Sequence, residues 1–181
     1  MTYLSPAKIN LFLHITSKRD DGYHNLQTIF QLLDFYDEID FSLRNDGKIN
    51  RTSGNEDILI SDDLMIKSAK KLKQYRRTNF GVDIKIIKKI PTGGGLGGGS
   101  SNAATTLVAL NKLWNLKLTN TELISIGKDI GADVPIFIEG RSSWAEGIGE
   151  ILTPLNLQNT SIWSFQSINK SLRVKYSAIK H

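Results

Sequence analysis

Six glycines fill seven positions from Gly93 to Gly99, interrupted only by Leu96, and the chain runs on through Ser100-Ser101-Asn102 into the helical stretch Ala103 to Trp114. Glycine gives up more conformational freedom on folding than any other residue, so such a cluster is tolerated where the backbone itself must approach a ligand. A helix beginning just beyond it supplies free N–H groups and the positive end of a dipole. Amides of a glycine turn form an anion-binding concavity, and Ser100 and Ser101 add hydroxyls at the same helix start. Pro91, Thr92, Gly93, Gly94, Gly95, Leu96, Gly97, Gly98, Gly99, Ser100 and Ser101 are therefore a candidate polyphosphate cradle. The alternative for Gly/Ser-rich sequence is a flexible linker. The strand-like run Val82 to Ile87 before the loop and the helix after it favour the cradle. It is not a Walker A loop, because no lysine follows the last glycine, nor a dinucleotide fingerprint, because Leu96 interrupts the glycines and the acidic partner is missing.

Composition narrows the chemistry further. With 181 residues, 40% of them hydrophobic, the chain can bury a core, and its length suggests one domain or a little more. Cysteine is absent, which excludes disulfides, thiolate metal sites and a cysteine nucleophile and fits a reducing cytoplasm. No basic segment followed by an apolar stretch opens the sequence, and no apolar run approaches the ~18 residues that span a bilayer, so a cytoplasmic location without membrane contact is expected. A net charge of +5 raises nucleic acid as a partner. Against it, Lys67, Lys70, Lys71, Lys73, Arg76 and Arg77 share one predicted helix, and Lys85, Lys88 and Lys89 follow on a strand, with no interleaved aromatic platform. They read as a solvated face, and a small phosphorylated substrate needs only local positive potential.

Along the chain, residues 3–16 read as a strand in which Lys8 and Asn10 share one face. Strand-like runs follow at Leu26 to Leu33 and Asp37 to Leu43, with turns at 19–22 and 45–47. Helical spacing covers 62–76, where Asp62 or Ser61 can cap the start. Thr119-Asn-Thr-Glu122 is a capping box opening a helix to about Ile130, and a last strand is predicted near Ser142–Glu146. Phe30, Trp114 and Phe137 are predicted core residues. The front third is mostly β and the whole reads as α+β, a mixed or antiparallel sheet with helices on one side.

Three segments in order, Ser5-Pro-Ala-Lys-Ile-Asn-Leu11, the glycine run through Ala104, and Gly131-Ala-Asp-Val-Pro-Ile-Phe137, resemble the GHMP kinase superfamily. Asp21-Gly-Tyr-His-Asn-Leu-Gln27 and Glu146-Gly-Ile-Gly-Glu-Ile-Leu152 narrow the likeness to members acting on a cytidine-diphosphate-linked methylerythritol alcohol. The resemblance implies the N-terminal domain fold of that superfamily over residues 1–155, ATP as phosphoryl donor and a small-molecule acceptor. It implies that Asp133 takes or orients the acceptor hydroxyl proton, and that Lys8 holds Asp133 ionised and places positive charge near the transferring group. Asn10 would hydrogen-bond the substrate, with Tyr23 and His24 at its cytidine end. Lys88 would contact the nucleotide, and Asp63 and Leu64 the adenine, although the family commonly has Asn where this chain has Asp63. Magnesium is expected with ATP, held by phosphate oxygens, water and a loop serine, since no carboxylate pair is an evident ligand set.

The pattern breaks at the end. No Thr-Gly-Ser-Gly-like third motif follows, and residues 156–181 have no sustained period, so a truncation with a frame-shifted tail and no C-terminal domain is the expectation for this segment. Two alternatives stay open: an inactive fragment, or a non-catalytic nucleotide- or RNA-binding domain, since ribosomal and chaperone proteins share this topology. A binding module has no need for Lys8 and Asp133 together with the cradle.

Overall fold

The computed structural model describes residues 1–157 in full and, beyond them, the backbone of 162–168 and 171–177. Two long antiparallel strands, β1 (Thr2–Lys18) and β2 (His24–Arg44), form its frame. The sequence suggests two strand runs where the structure has the single strand β2. The ladder shifts register between Leu32 and Tyr36 but resumes, and Asp37, which opens the second run, pairs with Ser5 while its fully buried carboxylate accepts the N–H groups of Lys89 (2.7 Å) and Ile90 (2.8 Å). A buried polar group with partners is compatible with a strand; without them it would break one.

Strand β3 (Ile49–Ser53) pairs in parallel with β4 (Gly81–Ile87), and the connection between them carries helix α1 (Leu64–Arg76). β3 is short and polar, which hides it from hydrophobic patterning. After the glycine loop come α2 (Gly98–Leu113), α3 (Asn120–Lys128) and α4 (Val134–Glu139), then the hairpin β5 (Ser143–Glu146) and β6 (Ile151–Pro154). The sheet order is β3-β4-β2-β5-β6, with β1 paired along the other edge of β2. This is the α+β architecture with a mixed sheet that the sequence implies. Strands β7 (Ile162–Ile168) and β8 (Ser171–Ser177) pair antiparallel, which the unperiodic sequence there does not predict. What the tail residues beyond these strands do lies outside the described residues. No helix of the described residues is long and apolar enough to cross a membrane.

The main core lies between sheet and helices. Phe30, Ile39, Phe41 and Ile84 meet Met65, Leu72, Leu107, Leu110, Leu123 and Ile136, and Trp114 and Phe137 are buried with them. Each such side chain contributes about 1.5–3 kcal/mol by leaving water. A smaller cluster of Ala7, Ile9, Leu33, Ile90 and Leu96 joins β1 and β2 to the glycine loop.

α1 is capped by Asp63, not by Asp62 or Ser61, because the helix starts at Leu64 and Asp63 has the extended backbone of a cap residue. Its carboxylate accepts from Met65 N–H (2.8 Å) and pairs with the buried Arg51 guanidinium (2.6 Å). Asp63→Ala therefore strips the cap and leaves a buried cation unpaired, an expected cost of about 3–5 kcal/mol in urea denaturation of the whole chain. Asp63→Asn keeps an acceptor for the helix and costs less; equal losses would contradict the dual role.

Candidate active site

Strand β4 delivers the chain through Lys88, Lys89 and Ile90 to the glycine loop. Gly93, Gly95 and Gly97 have φ of +78°, +71° and +71°, whereas the residues between them do not take positive φ. Such alternation turns successive N–H groups toward one side and makes an anion-binding nest. At Gly97 there is also no room for a side chain: a Cβ would stand 2.8 Å from the Phe137 ring and 3.1 Å from Lys8 Cγ. α2 starts at Gly98, five residues before the apolar run that announces it, with its first backbone bond from Ser101 N–H to the Gly97 carbonyl (2.8 Å). The N–H groups of Gly98, Gly99 and Ser100 are thus free of intrahelical partners. They border a cleft of about 230 Å³ lined by Pro91 through Ser100, Leu64, Lys88, Asn55, Ile58 and Asn102.

Lys8 enters from β1. Its backbone N–H donates to the Leu96 carbonyl (2.9 Å), and Leu96 is buried beneath the loop. Its side chain is 7% exposed, a costly place for an ammonium without partners. The partners are Asp133 (3.1 Å), the Asn10 amide oxygen (2.6 Å) and the face of Phe30, whose centroid is 5.1 Å away. Asp133 occupies the cap position of α4, yet its side chain makes no capping bond there and is aimed at Lys8. It stays one-third exposed, so the carboxylate has a buried cation on one side and open space on the other. Ser100 Oγ lies close to Gly131, in the same segment as Asp133.

The structure brings Lys8, Asn10, Asp133 and the loop together, with Lys88 and Leu64 on the cleft wall. It corrects one residue of the cradle, Ser101, and one expected adenine contact, Asp63. Ser101 is fully buried and its hydroxyl oxygen accepts from Ser5 Oγ (2.8 Å), so it faces the core, not the cleft. Asp63 is 1% exposed and spent on α1 and Arg51, so it positions the neighbouring Leu64 and does not itself line the cleft. Asn10 differs in part: its oxygen meets Lys8 and its nitrogen donates to Thr28 Oγ1 (2.9 Å), which makes it first a support of the lysine. Tyr23 and His24 lie at the exposed turn between β1 and β2, where Asp21 accepts Tyr23 N–H (3.1 Å).

Three participants escape sequence reading. Thr28, fully buried, fixes the Asn10 amide. Asn102 donates to Asp37 (2.9 Å) and Ser5 (3.0 Å), and Asp37 holds Lys88. Asp37 stands among Asp34, Glu38 and Asp40 in the strand, and spacing alone cannot single it out for a site. Among the described residues no three His, Cys, Asp or Glu side chains gather as a metal site.

The fold and this site are similar to those of the GHMP type: the family model "GHMP kinases N terminal domain" matches residues 63–141. A more particular likeness lies in the curated relatives, 4-diphosphocytidyl-2-C-methyl-D-erythritol kinases. That of Ruthia magnifica is 62% identical over 87% of this chain and 55% of its own length. That of Alkalilimnicola ehrlichii is 49% identical over 97% of this chain and 59% of its own. A crystal structure of 4-(cytidine 5'-diphospho)-2C-methyl-D-erythritol kinase superposes with a TM-score of 0.73 at 37% identity, covering 87% of this chain and 56% of that one. The chain spans just over half the length of the curated relatives it matches.

The two kinds of glycine in the loop give a test. Gly93→Ala is expected to cost about 1–2 kcal/mol for the left-handed backbone alone, since nothing lies within 4 Å of its Cβ position. Gly97→Ala adds the collision with Phe137 and Lys8 and is expected to cost more. Urea denaturation of both variants checks this, and equal costs would contradict the packing.

Proposed function

We propose that residues 1–155 form an ATP-binding domain that transfers the γ-phosphoryl group of ATP to the 2-hydroxyl of 4-diphosphocytidyl-2-C-methyl-D-erythritol, a step in non-mevalonate isoprenoid precursor synthesis. The observation that carries the reading is the buried Lys8 paired with Asp133 at 3.1 Å, beside the glycine loop to which Lys8 is tied. Phosphoryl transfer asks a protein mainly to position reactants and to stabilise charge. The free N–H groups of the loop and of the first turn of α2 receive phosphate oxygens, with Lys88 at the wall of the same cleft. Asp133 orients the acceptor hydroxyl and receives its proton as the oxygen attacks phosphorus and the bond to the β-phosphate oxygen breaks. Lys8 keeps positive charge beside the transferring group and is itself held by Asn10. Tyr23 and His24 offer a ring and an imidazole for the cytidine end.

Magnesium fits as an ion carried largely by the nucleotide: among the described residues no three His, Cys, Asp or Glu side chains gather to hold it, so phosphate oxygens and water would supply most of its ligands, with the Ser100 hydroxyl at the cleft and Asp133 as protein oxygens that could join them. When bound it neutralises the phosphate charge that develops during transfer.

Incubating the 181-residue chain with ATP, magnesium and 4-diphosphocytidyl-2-C-methyl-D-erythritol, with mass spectrometry of the product, tests the reading. Asp133→Asn is expected to lower kcat by about 10²–10⁴-fold, and Lys8→Met to abolish detectable product. A folded chain without product, or product undiminished in both variants, would overturn the assignment.

A further inference from the structure

We infer that Asp37 is a positioning residue for the nucleotide cleft, acting through Lys88; this rests on the nucleotide-binding reading above. Lys88 Nζ sits at the cleft wall next to the start of α2, 3.2 Å from where a Cβ on Gly98 would be. A lysine on a strand end has a flexible four-carbon stem and ordinarily sweeps through solvent. Here the ammonium is held from below by the Asp37 carboxylate and from the side by the Asn102 amide oxygen (3.1 Å). Lys88 keeps 22% of its side chain exposed while Asp37 keeps none, so the pair presents a fixed cation to the cleft and hides the anion that fixes it.

Asp37 does more than pair. Its other oxygen accepts the N–H groups of Lys89 and Ile90, the residues that turn the chain from β4 into the loop, and Asn102 ties the same carboxylate to the first turns of α2. One buried carboxylate thus joins both ends of the phosphate loop to β2 and sets the lysine between them. An ammonium already ordered loses less rotamer freedom when a phosphate arrives, and that saving appears as affinity. The acid carries no signal of its own in the sequence, since Asp34, Glu38 and Asp40 share the strand with it; the chemistry it serves is binding of a triphosphate.

The test is a double-mutant cycle on ATP binding by the whole chain, read by calorimetry with thermal melts alongside. Asp37→Asn keeps shape and one acceptor for the two N–H groups but loses the charge that holds Lys88; we expect ATP affinity to fall about tenfold, the scale of one charged contact to phosphate. Lys88→Met is expected to fall by a similar factor, and the double variant no further than Lys88→Met alone. A structural role for Asp37 would lower the melting point without that coupling, and independent factors that multiply, or Asp37→Asn binding ATP like the parent, overturn the inference. Should Asp37→Asn lose its cooperative melt, Asn102→Ala carries the same cycle, weakening ATP binding with Lys88 present and leaving it unchanged in the Lys88→Met background; weakening in both overturns the inference. A parent chain that is folded yet binds no ATP overturns the nucleotide reading and this inference together, whereas a binding parent with uncoupled variants overturns this inference alone.

Discussion

The site depends on one backbone hydrogen bond, from Lys8 N–H to the carbonyl of Leu96. It joins the first strand of the fold to a loop nearly ninety residues later, and buried Leu96 under it holds the loop against Ala7, Ile9, Leu33 and Ile90. The loop needs such an anchor, since its glycines have no side chains to pack and would otherwise keep the freedom of a linker. With the anchor in place, the same residue that ends the bond projects its ammonium toward Asp133. Cradle and charge pair are therefore set by one contact.

Burial explains why that ammonium can be where it is. An unpaired lysine in this position would be expelled or neutralised, and a carboxylate, an amide oxygen and an aromatic face share its charge. The charge of the rest of the chain is of another kind. Lys71 and Arg76 on α1 pair with Asp129 and Glu122 near α3 at the surface, contacts worth little each. At the cleft the positive groups are Lys88 and the loop amides, with Lys8 beside the loop, which the net charge of +5 does not reveal.

Much of this was legible in the residues. Alternation gave β1 and the shared face of Lys8 and Asn10, the glycine cluster gave the loop, and Thr119 and Glu122 form the capping box that opens α3. The start of α2 was hidden because Gly98 and Gly99 have poor helix propensity, although Gly98 packs closely against Ile90 and Lys88. β3 was hidden by shortness and polarity, and β6 by shortness alone. Ser101 and Asp63 were misplaced for one reason: hydroxyls and carboxylates at helix starts serve either a ligand or the protein itself, and only three-dimensional partners, Ser5 and Arg51, decide which. Asp37 was silent because its meaning comes from residues more than fifty positions away.

The account is tested most directly by following backbone amide resonances of the isotopically labelled chain as ATP and magnesium are added. Saturable shifts concentrated on Gly93 through Ser100, with Lys8 and Lys88 moving alongside, are the predicted result. Shifts confined to the basic face of α1 while the glycine amides stay still would contradict it.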